Sequence, residues 1–140
     1  DFVGKERETV IRQRVNQSSF RSMILANYNE QCAISGICIP QLLVASHIIP
    51  WADNEKERLN PENGICLSPL YDKAFDRGYI GIRQDYTIII SNELKEYKNK
   101  DFYSNFFASI EDKRINLPEE HIPNIHFLDY HIKHIFSEHN

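Results

Sequence analysis

His47 follows the apolar run Leu42-Leu43-Val44-Ala45 and precedes Ile48-Ile49-Pro50, Asn63-Gly64 opens a second apolar stretch, and Asp72 and Asp76 stand four residues apart. That last spacing puts both carboxylates on one face of a helix. An imidazole that titrates near neutrality can take a proton from water, while two carboxylates on adjacent turns offer hard oxygens to Mg²⁺ or a similar cation. Together these groups are the equipment of a metal-assisted hydrolase. Each alone has a plainer reading: a packed or surface histidine, an Asn-Gly turn, a solvated acidic face pairing with Lys73 or Arg77. Their order and spacing in one short stretch favour chemistry.

The surrounding pattern supplies elements to hold them. Leu42 to Ile49, ended by Pro50, suits a buried strand with His47 near its end, and 51–63 reads as a charged loop. Gly64 to Leu67 is a second strand, followed by Ser68-Pro69 as helix cap and first helical position, and Gly78 is the stop signal for a helix over about 69–77. Residues 42–78 therefore read strand, loop, strand, helix. Residues 79–82 and 86–90 form a hairpin around Arg83-Gln84-Asp85. Upstream, 6–28 reads as helical, with Val10, Ile11 and Val15 on one face, a second start at Ser18 or Ser19, and the arginines off the apolar stripe. Downstream, Phe102, Phe106 and Ile110 share one helical face, and Leu128, Ile132, Ile135 and Phe136 another.

At 140 residues, 41% hydrophobic and 26% charged, the chain fits a single domain spanning 1–140. Its first residue is Asp1, which suggests a fragment of a longer protein. No apolar run approaches the roughly 18 residues of a membrane span, so no membrane partner is expected. A net charge of −4 argues against coating nucleic acid through bulk charge. The charge is polarised, however, at +2 over residues 1–25 and −3 over 111–140. Three cysteines, an odd number, point to a reducing, cytoplasmic compartment, and without paired spacing they read as buried thiols rather than a zinc site. The histidines of the tail read as surface or packing residues, and Trp51 as a lid for the hairpin.

The stretches Ala45-Ser46-His47-Ile48-Ile49-Pro50-Trp51, Arg58-Leu59-Asn60-Pro61-Glu62-Asn63-Gly64 and Asp72-Lys73-Ala74-Phe75-Asp76-Arg77-Gly78 resemble the HNH endonucleases, in the branch typical of bacterial restriction-type proteins. The likeness extends upstream through Arg14-Val15-Asn16-Gln17 with Phe20-Arg21 and downstream to Tyr130-His131. It implies an α+β fold with a ββα-metal (His-Me finger) core at 42–78, flanking N- and C-terminal helices and a small additional hairpin.

It further implies a metal-dependent DNA endonuclease, the cleavage domain of a restriction or defence protein, in which His47 is the general base and Asn63 holds the loop that orients it. Asp72 falls on the metal-ligand position, and Asp76 matches a second helix ligand of some branches. Two positions depart from the pattern: Ser46 stands where Asp or His often ligates metal, and Tyr71 where many relatives carry His. That shifts one divalent ion onto Asp72, Asp76, at most weakly Ser46, phosphate and water, favouring Mg²⁺ or Mn²⁺ over Ni²⁺ or Zn²⁺. Arg77 and Arg58 near the motif, with Arg12, Arg14, Gln17 and Arg21 from the first helix, are the expected DNA contacts. A separate recognition domain and a homodimer are further expected partners. The alternatives are a catalytically weakened binding module of the same fold, and an RNase or nickase.

Overall fold

The computed structural model describes residues 2–139; Asp1, counted above in the N-terminal charge, lies outside them. Antiparallel strands β1 (Val44–His47) and β2 (Gly64–Leu67) pair with His47 opposite Gly64 and Ser46 opposite Ile65, and helix α2 (Pro69–Asp76) follows at once. This is the expected strand, loop, strand, helix unit in an α+β fold. The first strand is shorter than the apolar run, because Pro40–Leu42 form a 3₁₀ turn and the chain leaves the sheet after His47. Pro69 opens α2 as expected, but the Ser68 hydroxyl bonds to Cys32 and Ser35 instead of capping the helix.

Gly78 ends α2 with a φ of +79°, and a Cβ there would lie 2.3 Å from the carbonyl oxygen of Ile135, so both conformation and space require glycine. The hairpin of β3 (Ile80–Ile82) and β4 (Ile88–Ile90) is present, and Ile80, Ile82, Ile88 and Ile90 are almost wholly buried. A short α3 (Asn92–Lys95) and α4 (Asp101–Tyr103) follow, then a π-helical turn over Ser104–Ala108. The buried side is not the expected one throughout: Tyr103 and Phe107 are buried with Ile110, while Phe102 and Phe106 are exposed. Helix α5 (Ile125–His134) closes the fold, burying Leu128 and His131.

Helix α1 is one continuous run, Phe2–Asn27, with no restart at Ser18 or Ser19. Its packing begins only at Phe20, which with Ile24 and Leu25 enters the core against both strands of the ββα unit. No residue from 2 to 19 is buried, so Val10, Ile11 and Val15 are exposed rather than core. The arginines do not avoid this apolar side either: Arg7 and Arg14 line the same shallow hollow as Val10 and Ile11. Cys32 and Cys66 are buried free thiols as expected, whereas Cys38 is exposed. Among the described residues no helix is long and apolar enough to cross a membrane.

Candidate active site

The loop between β1 and β2 is closed by one buried side chain. Asn63 accepts a hydrogen bond from the Ile49 backbone N–H at 2.8 Å and donates through Nδ2 to the carbonyls of Ile49 (3.3 Å) and Glu57 (3.2 Å). Its own carbonyl accepts from the N–H of Ile48 at 3.0 Å. Asn63 is 1% exposed, so these bonds are made away from water, where an unpaired amide would cost about 1–3 kcal/mol. The loop is further shaped by Asn60, whose side chain accepts from the Glu62 N–H and donates to Glu57.

This closure brings the Arg58 carbonyl to 2.9 Å from Nε2 of His47. A carbonyl only accepts, so Nε2 carries the proton and, in the neutral ring, the lone pair lies on Nδ1. The ring itself is sandwiched: Phe20 lies flat against it with centroids 3.9 Å apart, and Trp51 meets it edge-on at 5.4 Å. Burial holds the His47 pKa below its ordinary value; the Arg58 carbonyl opposes that and the Arg58 charge reinforces it. The net direction keeps a proton acceptor available at neutral pH.

Ser46 is buried beside His47, and its hydroxyl lies near enough to Asp72 on α2 to favour the ionised carboxylate. The Asp72 carboxyl titrates above the usual carboxylate range, chiefly through burial and further through the neighbouring Asp76, with Ser46 and Lys73 pulling the other way. Asp76 is exposed one turn on. Among the described residues no three His, Cys, Asp or Glu side chains gather as a metal cluster. The donor set is therefore two carboxylates with a hydroxyl beside them. It fits a hard divalent ion that keeps water and substrate phosphate as its other ligands, and such an ion would offset both causes that raise the Asp72 pKa.

Helix α5 braces both halves. Tyr130 donates its hydroxyl to Asp53 at 3.0 Å in the His47 loop, and Asn124 bonds Glu62 through both backbone and side chain. The neighbouring His131 stacks on Phe75 with centroids 3.7 Å apart and donates Nε2–H to its carbonyl at 2.8 Å, fixing the last turn of α2.

The expected nucleic-acid residues divide by location. Arg77 is exposed at the end of α2. Arg58 reaches the site with its carbonyl, while its side chain donates to the Trp51 carbonyl at 2.7 Å and lies over the Trp51 ring at 4.8 Å. Trp51 thus belongs to the His47 loop rather than to the hairpin. Arg12, Arg14 and Gln17 are exposed on the projecting part of α1, and Arg21 donates to the carbonyls of Pro40 and Leu43, tying α1 to the turn before β1. The sequence reading missed Phe20 as the platform of His47 and His131 as the tie of α2. Both pair with partners far along the chain; the family likeness included Phe20 and His131, but nothing local to either assigned it a partner.

A ββα unit with a histidine at the end of its first strand and acids on its helix defines the class. Residues 32–83 match the model of the HNH endonuclease family, and the matched stretch contains β1, β2 and α2 entire. A solved structure described as a modification dependent TagI restriction endonuclease has the same fold over 80% of this chain, with a TM-score of 0.55 and 16% identity. The chain spans only 35% of the length of that protein. No curated protein matches the sequence.

Proposed function

We propose that this chain is a metal-dependent DNA endonuclease domain of the restriction type, and that His47 is its general base. The observation carrying the proposal is the orientation of His47: Nε2–H is committed to the Arg58 carbonyl, which leaves Nδ1 as the proton acceptor in a ring packed between Phe20 and Trp51. Nδ1 takes a proton from a water molecule as its oxygen bonds to phosphorus, and the bond to the 3′-oxygen breaks. Asn63 keeps the Arg58 carbonyl in place by closing the loop. Asp72 and Asp76 would hold one divalent ion of the Mg²⁺ or Mn²⁺ type, which would supply charge stabilisation to the transition state. Arg77, Arg12 and Arg14 contact the phosphate backbone.

The domain acts inside a larger defence protein whose other part selects the target, a reading supported by the much greater length of the structural neighbour. The test is conversion of supercoiled plasmid to nicked and linear forms with Mg²⁺, Mn²⁺, Ni²⁺ or EDTA, for the wild type beside His47→Ala. Metal-dependent cutting lost in the variant establishes the reading, and the ratio of nicked to linear product tells a nickase from a dimer. One observation favours a non-catalytic binding module instead: among the described residues no third His, Cys, Asp or Glu joins Asp72 and Asp76 as a ligand group. Calorimetry showing no divalent ion bound to the wild type, together with no cutting, would decide for the module.

A further inference from the structure

Beside the carboxylate face of α2 lies a second feature that the hydrolytic reading does not use. The helix side bearing Leu70, Lys73 and Arg77 faces Tyr79, Tyr97 and Phe102 across a groove of about 290 Å³. Tyr97 and Phe102 leave nearly half their surface in solvent, 48% and 42%, with ring centroids 5.7 Å apart. Neither Lys73 nor Arg77 forms an ion pair among the described residues. The groove also contains an acid, Glu93, but it is engaged by His139. The groove thus offers exposed aromatic faces beside two positive charges that form no ion pair among the described residues.

The position of those charges argues for the occupant. Lys73 follows Asp72 and Arg77 follows Asp76 by one residue each, a rotation of about 100° around the axis. A polyanion leaving the carboxylate face on that side of α2 meets both cations before it meets the aromatic rings. Phosphates match the cations, and an unstacked base matches the rings, since every base presents a π-face and such stacking is indifferent to sequence. An intact duplex keeps its bases within the stack and cannot present one to Tyr97.

We propose that this groove is a subsite for one unpaired nucleotide of the substrate strand, its base on Tyr97 and Phe102 and its flanking phosphates on Lys73 and Arg77. The proposal rests on the nuclease reading, which places nucleic acid on α2, and adds that the enzyme holds a single-stranded or extruded nucleotide next to the site of cutting.

The test measures binding of oligothymidylate by anisotropy in EDTA, with no cleavage required. Tyr97→Leu and Phe102→Leu should each weaken binding about fivefold or more. Lys73→Gln should lower the slope of log affinity against log salt by about 0.7. Because Tyr97 and Phe102 are half-exposed, these variants should fold, and 5-iododeoxyuridine cross-linking to the wild type provides a second readout, expected to map to Tyr97 or Phe102. Unchanged affinity in both aromatic variants, or a cross-link elsewhere on the chain, overturns the subsite and leaves the groove to another partner such as a protein. A wild type that cuts plasmid under those circumstances keeps the nuclease reading. One that shows the aromatic dependence but cuts nothing with any metal keeps the subsite and loses the nuclease reading.

Discussion

The imidazole of His47 lies on the ring of Phe20 with planes only 10° from parallel, so a residue of the N-terminal helix forms one wall of the proposed catalytic base. The pairing joins α1 to β1 at the point where the chain leaves the sheet, and with Trp51 it packs the ring on two sides.

From this follows the first prediction. His47→Ala should lower cleavage by about 10²–10⁴-fold, with DNA affinity unchanged. Phe20→Leu should give a smaller loss in kcat while KM stays the same, because it frees the ring without removing it. Steady-state kinetics on a short duplex would check both, and an equal loss for DNA binding would count against His47 as the base.

Asn63→Ala should destabilise the domain by about 3 kcal/mol, since it strands the Ile49 N–H and two carbonyls in a buried loop. Asn63→Asp should also be costly, as a carboxylate would face the Ile49 and Glu57 carbonyls where the amide donates. Urea denaturation reads both values.

At Gly64 a Cβ would meet Ile24 at 2.5 Å and Phe20 at 2.6 Å. Gly64→Ala should therefore cost about 1–3 kcal/mol through overpacking and should lower activity beyond its effect on stability, by displacing the helix on which His47 rests. Gly36→Ala is the control, with positive φ but no neighbour within 4 Å, and its cost should be about 1 kcal/mol.

Stability should rise with pH between 4 and 6.5. Burial lowers the His131 pKa to about 4, while the unfolded residue titrates near 6.5, so in this window the unfolded chain binds the extra proton. Up to about 3 kcal/mol is fully present above 6.5 and is lost as pH falls towards 4. His47, also lowered, adds in the same direction. Thermal melts of wild type and His131→Phe over this range should show a shallower slope in the variant.

The local layout around the candidate site was more legible in the sequence than its surroundings, and for a physical reason. His47, Asn63, Asp72 and Gly78 are set by local rules, namely strand ends, a turn, helix spacing and a left-handed stop, all within one short stretch. Phe20 and His131 act on that stretch from 27 and 56 residues away from their ring partners His47 and Phe75, and periodicity marks them only as apolar or helical. Val10, Ile11 and Val15 failed as core predictions because a helical apolar stripe does not say whether the body of the protein reaches it. Tyr103 and Phe107 repeat at the same four-residue spacing as Phe102 and Phe106, so periodicity alone could not choose which pair the core takes.

The bare stretch of α1, about 27 Å from Phe2 to Ser19, is held by little beyond its own backbone hydrogen bonds, although the turn at Phe20 and Ile24 is locked into the core. Its opening free energy must therefore climb steeply along one helix, from near zero at the tip to almost the global value at the base. Amide exchange will show that gradient, fast at the tip and slow at Phe20. Any surface that covers the tip would be paid back in protection spreading from the base outward, which makes exchange along α1 a gauge of whatever this domain docks against.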